Sequence, residues 1–480
     1  MSTLKETARH SAIYSMGNLA VKLAGLLLLP IITENLSIDE YGSYTLIESF
    51  NQILVSILSI KLPIAALRLA SSDQHSGQKA WFTHALLMLL AVSAAVGGLV
   101  WALKNPLSQL LTGETGNTFL IVLVGASLIT EMLGLVPVQY LRLKDRSVSF
   151  VSLSLLKLLV LIGMVYWLVE IEKWGIAGVV ASFLAGHLAF LLGSLFFLYR
   201  QREPYRPNWE AMKSMVNYGY PLVFTSVMTV LLATSDRFII RHFHEFADIG
   251  VYGISAKLAG IVNFVIIQAF FIGYTAIAFR QYEDKVFMNL QPTIIRFISL
   301  LAMSAIWFLS LFSEAILEVL SRDSDYVEAY LYIPYFGVII GFSALQTFLS
   351  MTFHFTKQTR KNVPIAATAV TINIVLALIL VPIHPIYGAL ASSALSMMAM
   401  LTMTYMNSTR IFYDFAGLGN LIRISAVIVG GAAICVAIIH WEPLENLGYR
   451  ALALLLMIWL ALSILRINAK MVIRTLRSWF

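Results

Sequence analysis

A run of about twenty apolar residues recurs along nearly the whole chain, and this leaves few ways to fold. Apolar types make up 59% of the 480 residues, charged types only 12%, and the mean hydropathy is +0.80. A soluble domain is about one quarter charged, so this balance excludes an ordinary soluble protein. Backbone N–H and C=O groups in hydrocarbon must be satisfied within the segment that carries them, which long continuous runs achieve as helices.

Breaks at charged residues, Gly, Pro and Asn place fourteen spans near 11–33, 42–66, 81–103, 118–141, 148–169, 174–199, 213–235, 249–277, 292–312, 328–353, 364–382, 386–407, 420–440 and 447–465. The first run contains Lys22 and lacks a small-residue cleavage site, so a retained span is expected rather than a removed signal peptide. An even count puts both termini on one side. Most of the 33 basic residues then fall on that side, among them Arg142, Lys144, Arg146, Arg200, Arg202, Arg206, Lys357, Arg360 and Lys361. The opposite connections carry Glu34, Asp39, Glu40, Glu170, Glu172, Asp323 and Glu328. The bias predicts cytoplasmic termini, and omitting one span would scramble it. It also accounts for the net charge of +7 through anionic lipid headgroups, with no need for nucleic acid.

The Pro- and Arg-containing connection 200–213 divides the spans into six and eight. Short repeats suggest how the halves relate. Asp39-Glu40-Tyr41-Gly42-Ser43-Tyr44 follows the first span, and Ala247-Asp248-Ile249-Gly250-Val251-Tyr252 follows the seventh. Trp174-Gly175-Ile176-Ala177-Gly178 is matched, in order, by Ile386-Tyr387-Gly388-Ala389. Their equivalent places predict two similar six-helix lobes, residues 1–203 and 204–410, with two further helices and a tail in 411–480. A purely structural duplication is the alternative. The expected class is therefore an all-α polytopic membrane protein of about fourteen helices.

Several motifs resemble the polysaccharide exporters and oligosaccharide flippases of the multidrug/oligosaccharidyl-lipid/polysaccharide exporter superfamily. They are Leu26-Leu27-Leu28-Leu29-Pro30-Ile31-Ile32-Thr33 leading into Glu40-Tyr41-Gly42, Ala66-Leu67-Arg68-Leu69, Asn217-Tyr218-Gly219-Tyr220-Pro221, and Ser235-Asp236-Arg237-Phe238 followed by Gly250-Val251-Tyr252 and Lys257. The resemblance covers essentially the whole chain. It implies a MATE-like pair of lobes with a cavity lined by helices 1, 2, 7 and 8. The implied activity is flipping of an isoprenoid-pyrophosphate-linked oligosaccharide across a bacterial inner membrane, driven by a proton or sodium gradient. A glycan polymerase is an implied possible partner, and no cofactor is expected.

Ionisable groups inside spans are costly and mark candidate sites. Lys22 and Lys257 either attract the implied pyrophosphate as point charges or form internal ion pairs, for example with Glu48. Aligning Gly42 with Gly250 puts Glu48 and Lys257 at nearly equivalent places, which suggests a gating pair. Glu48, Glu131 and Asp236 are candidate coupling-ion carriers, because a partly desolvated carboxylate binds a proton more readily. The alternatives are a protonated packing residue at Glu131 and a salt bridge between Asp236 and Arg237. Arg68 and Arg280 end helices 2 and 8 on the basic side, where they suit either headgroup entry or topology. Lys61 is close enough to that edge to snorkel, and Lys157 has no assigned role.

His242, His244 and Glu245 match no zinc pattern, Cys435 has no second cysteine, and no phosphate-binding Gly-rich loop or nucleophile elbow occurs. An enzyme is not expected. A drug/cation antiporter of the same superfamily would favour carboxylates over the lysines present, and a membrane scaffold would need no buried charge. Those two remain the competing readings.

Overall fold

The computed structural model describes residues 25, 27–72, 78–199, 207–282, 284–321, 324–411, 417–441 and 446–467. All regular structure among these residues is helical. Among the described residues twelve helices are long and apolar enough to cross a bilayer, or thirteen when one bent pair is taken as a single span. The expected first span, 11–33, lies mostly outside the described residues.

In chain order the helices are α1 (Leu29–Asn35), α2 (Ile38–Leu58), α3 (Leu62–Ser72), α4 (Gln78–Ala102), α5 (Lys104–Thr112), α6 (Thr118–Leu143), α7 (Ser147–Val165), α8 (Gly175–Tyr199) and α9 (Trp209–Phe243). They continue as α10 (Phe246–Val262), α11 (Ala269–Gln281), α12 (Lys285–Leu320), α13 (Ile333–Phe355), α14 (Asn362–Leu380), α15 (Pro385–Ile411), α16 (Leu418–Ile439) and α17 (Leu447–Ile464). Single π turns follow α7 at Tyr166–Ile171 and α10 at Asn263–Gln268.

The chain divides into two compact units. One runs to Phe238 and includes Glu245–Gly250; the other comprises Ile239–His244 and the chain from Val251.

The acidic turn before α2 is a capping box. The Glu40 amide donates to the Ser37 hydroxyl at 3.3 Å, and the Ser37 amide donates to the Glu40 carboxylate at 2.9 Å. Two otherwise unpaired amides are thereby satisfied, and Asp39 and Glu40 also complement the positive end of the helix dipole. The Gly-x-Tyr motif directly after this cap has a packing role. A Cβ on Gly42 would overlap the Phe246 carbonyl, four residues before Gly250, and a Cβ on Gly250 would overlap the Ile38 carbonyl, four residues before Gly42. The two repeated motifs therefore make one reciprocal backbone contact inside the first unit, of the kind small residues permit in membranes.

The expected span 42–66 is broken. Ile60 and Lys61 both adopt left-handed backbone, with φ of 47° and 51°, and α2 meets α3 at a bend of 40°. A Cβ on Gly219 of α9 would overlap the Ile60 carbonyl, so the displaced turn requires glycine opposite it. Two adjacent strained residues cost about 1–3 kcal/mol each. The π turn after α10 ends at Gln268, as far beyond Gly250 as Ile60 lies beyond Gly42. Both repeat-related spans are thus irregular at the same place.

Each unit has its own core. In the first, Phe82, Leu89, Met132, Val136 and Tyr140 join α4 to α6, and Leu46, Val124, Leu128 and Val180 join α2, α6 and α8. His84 of α4 donates from Nδ1 to the Ala80 carbonyl at 2.6 Å and accepts the Asn208 amide at Nε2, 3.0 Å, just before α9 begins. In the second unit Trp307, Phe342, Phe348, Ile424, Ile428 and Cys435 pack together, and Gly431 leaves room for the Trp307 ring. Leu192, Phe196, Leu455 and Trp459 stand 62–65% exposed, a hydrocarbon-facing surface that water would penalise.

Arg450 of α17 is buried and pairs with Glu314 of α12 at 2.8 Å, while its guanidinium also donates to the Leu311 carbonyl at 3.1 Å. Removing one partner of a buried pair typically costs about 3–5 kcal/mol. Arg450→Met should therefore lower the unfolding temperature in detergent sharply, and Arg450→Met with Glu314→Leu should recover most of the loss. Gly250→Ala should also lower the unfolding temperature, whereas Gly98→Ala should leave it unchanged because Gly98 faces open space.

Candidate functional site: a charged cluster in the first unit

Helices α6, α7 and α8 pack side by side and bring ionisable groups together near the middle of each. Gly186 lets α7 approach α8 closely: a Cβ there would stand 3.4 Å from the Lys157 carbonyl and 3.5 Å from its Cγ. The Lys157 stem therefore lies across Gly186, beside His187. The His187 ring is buried, and its Nδ1 is 3.3 Å from the Ser127 hydroxyl of α6. Phe183, one turn earlier on α8, flanks that ring and stacks on Tyr44 of α2 with centroids 6.2 Å apart.

Ser127 and Glu131 are four residues apart and share a face of α6. The half-buried Glu131 carboxylate lies within electrostatic reach of Lys157 and of Glu48 on α2. Lys157 in turn acts on both Glu131 and His187. Among the described residues Glu131 and Lys157 do not touch as a direct ion pair, since neither occurs among the N···O contacts within 4.0 Å. The result is a carboxylate, an ammonium and an imidazole spread over three helices, with a second carboxylate on a fourth.

The other candidates lie elsewhere. Lys22 is outside the described residues, and the Arg280 side chain is not described. Glu48 belongs to the first unit and the half-buried Lys257 to the second. Arg68 is exposed on α3. Asp236 is buried near the end of α9; its carboxylate accepts the Arg237 amide at 3.0 Å and faces the Arg237 guanidinium at 3.7 Å. That geometry is the structural salt bridge weighed as the alternative. Lys61 occupies the strained turn between α2 and α3 rather than a regular helix end. His242 is exposed in the last turn of α9, and His244 bonds through Nε2 to the Val381 carbonyl at 2.7 Å, which ties His244 alone to a neighbouring segment. Among the described residues no group of three or more His, Cys, Asp or Glu could hold a metal ion.

At the end of the first unit where α2 starts, Asn35 donates to Glu170 at 2.6 Å and accepts from Lys173 at 2.6 Å, which also faces Glu170 at 3.4 Å. These contacts join α1 to the π turn after α7. Ser127 is invisible to a reading that weighs charges helix by helix, and Lys157 has no assigned role in it. A signal existed, because Glu131 and Lys157 lie at similar distances on either side of the turn at Asp145.

The sequence matches the family model described as "polysaccharide biosynthesis protein" over residues 31–330. A curated relative, "Lsg locus putative protein 1" of Haemophilus influenzae, is 23% identical over 266 residues, covering 54% of this chain and 62% of that protein. The chain thus spans about three-fifths of that relative's length. Among solved structures, "Lipid II flippase MurJ, inward closed conformation" superposes with a TM-score of 0.74 at 14% identity, covering 94% of this chain and 98% of the other. An inward-facing "multidrug resistance MATE family transporter of the MOP superfamily" gives 0.68 at 13% identity, covering 83% and 98%. These neighbours are a flippase and a transporter, not enzymes. The match over well more than half of its length shows that this chain belongs to the polysaccharide biosynthesis protein family, on the MATE/MurJ-like fold.

Proposed function

We propose that the chain flips an isoprenoid-pyrophosphate-linked oligosaccharide from the cytoplasmic to the outer leaflet of a bacterial inner membrane, as a step in surface polysaccharide synthesis. The observation that carries this reading is the polysaccharide-family match on a chain whose fold resembles that of a lipid II flippase. Polysaccharide repeat units are polar and cannot cross hydrocarbon unaided, so a multi-pass member of such a family has translocation as its natural task. Lysines suit the anionic headgroup. Lys22 and Lys257 are assigned to the pyrophosphate, with Arg68 and Arg280 at the cytoplasmic entrance. Both termini are cytoplasmic in this reading, following the basic loops. An ion gradient drives the cycle, since the chain carries no nucleotide-binding loop. A glycan polymerase receives the product on the outer side.

A strain that lacks this protein and any redundant exporter should accumulate undecorated lipid-linked oligosaccharide on the inner leaflet, measured by glycan-specific labelling of intact cells against lysed ones. Normal outer-leaflet delivery in that strain would overturn the reading. A drug/cation antiporter would instead show export of cationic dyes with glycan delivery unaffected. A hydrogen bond to a charged group contributes about 1.5–3 kcal/mol, so Lys257→Gln should reduce flipping by about 10- to 100-fold while Lys257→Arg retains most of it. Equal loss in both variants would remove Lys257 from the headgroup site.

A further inference from the structure

We infer that Arg296, Arg423 and Arg466 form a site for the phosphate headgroup of an anionic membrane phospholipid, at the place where the last two helices pack on α12. The site belongs to the second unit alone and does not depend on the flippase reading.

Helix α17 is 18 residues long, about 27 Å and close to the hydrocarbon thickness, and an arginine fastens it to α12 at each end. At its start Arg450 reaches across to Glu314 and the Leu311 carbonyl. At its finish the direction reverses. Arg296 of α12 donates from Nη1 to the carbonyl of Leu465, the C-cap of α17, at 3.0 Å. Its Nε donates to the Pro292 carbonyl at 2.8 Å and its Nη2 to the Thr293 hydroxyl at 3.5 Å. These bonds fix the half-buried guanidinium at the level where α17 ends, and one N–H on each terminal nitrogen remains to donate.

Two more arginines stand at this place. Arg466 directly follows Leu465 and is exposed, in left-handed backbone with φ of 51°, where the Ile467 amide turns back to the Leu462 carbonyl at 3.1 Å. Arg423 lies in the second turn of α16, flanked by Leu421 and Ile424, which pack in the same core as Ile295 and Leu465. It is within electrostatic reach of Arg296.

Arg450 has a carboxylate partner, and these three have none: among the described residues no carboxylate lies within 4.0 Å of any of them. Neither α16 nor α17 contains an Asp or Glu. The first acid of α12 beyond Arg296 is Glu314, about 27 Å along the axis, and Asp284 lies about 18 Å the other way. Three uncompensated guanidiniums repel one another unless an anion joins them. A phosphodiester suits, because its free oxygens accept paired N–H groups from arginine, and basic pockets between membrane helices bind such headgroups. Ile422, beside Arg423, and Ile464, two residues before Arg466, are 59% and 46% exposed. Hydrocarbon-facing surface thus adjoins the charges, which favours a lipid over free phosphate. The bound headgroup does at this end of α17 what Glu314 does at the other.

Native mass spectrometry and thermal unfolding of the purified full-length protein, with equimolar phosphatidylglycerol and phosphatidylcholine, test the site. The wild type should retain phosphatidylglycerol by about 10-fold or more over phosphatidylcholine and unfold at a higher temperature with it. Arg423→Gln with Arg466→Gln leaves the Arg296 bond to α17 in place, so it should match the wild type in lipid-free detergent and lose both effects. Arg466→Gln alone, at an exposed position, should weaken both and serves if the pair does not fold. Lys144→Gln with Arg146→Gln, which removes two exposed charges from a basic loop of the first unit, should keep both. No lipid preference in the wild type, a preference unaltered in the arginine variants, or equal loss in the Lys144 and Arg146 pair would overturn the site. A prenyl pyrophosphate that displaces phosphatidylglycerol at equimolar concentration would assign these arginines to the transported lipid and overturn it as well. None of these measurements reads flipping, so a failure of the flippase reading leaves their outcome unchanged.

Discussion

The cost of an unpaired polar group in hydrocarbon governs everything else in this molecule. It forces the backbone into helices that satisfy their own amides, and it makes each charge inside a span an exception that needs a physical account. Two kinds of exception stand side by side. Arg450 with Glu314 and Asp236 with Arg237 are closed pairs, with partners in direct contact and further backbone hydrogen bonds. Glu131 and Lys157 act on each other without direct contact, on helices locked together at Gly186. The Arg450 and Glu314 pair ties α17 to α12, whereas Asp236 and Arg237 are neighbours within α9.

Close backbone approach is the second theme. With little hydrophobic drive between helices in lipid, small residues decide where backbones meet. Gly42 and Gly250 meet reciprocally, each over a carbonyl four residues before the other, which gives a physical reason for both copies of the repeated motif to carry glycine. The same spans then depart from regular helix at Ile60 and Gln268, at matching distances from those glycines.

The all-helical, many-span architecture was legible in the sequence because span length is set by bilayer thickness, which acts on every span alike. The turn at Ile60 and Lys61 was not read from the sequence, because neither residue is a glycine or proline and the apolar run resumes after Ser59, Lys61 and Pro63. Nor was the Arg450 to Glu314 pair, whose members are far apart in sequence and look like ordinary span-end charges. Glu131 was legible as a lone acid in an apolar run, but its setting was not. Lys157 has no assigned role in the sequence because its neighbours sit on other helices, and it is Ser127 and Gly186 that place His187 beside that lysine.

Transbilayer movement of the lipid-linked sugar is the claim on which the rest converges, and reconstitution tests it most directly. The purified chain would be placed in vesicles whose inner leaflet carries a fluorescent isoprenoid-pyrophosphate-linked oligosaccharide, with a membrane-impermeant glycosidase outside. The account predicts protein-dependent, gradient-stimulated cleavage that Lys257→Gln slows and Lys257→Arg largely preserves. Cleavage no faster than in protein-free vesicles, under an imposed proton or sodium gradient, would contradict it.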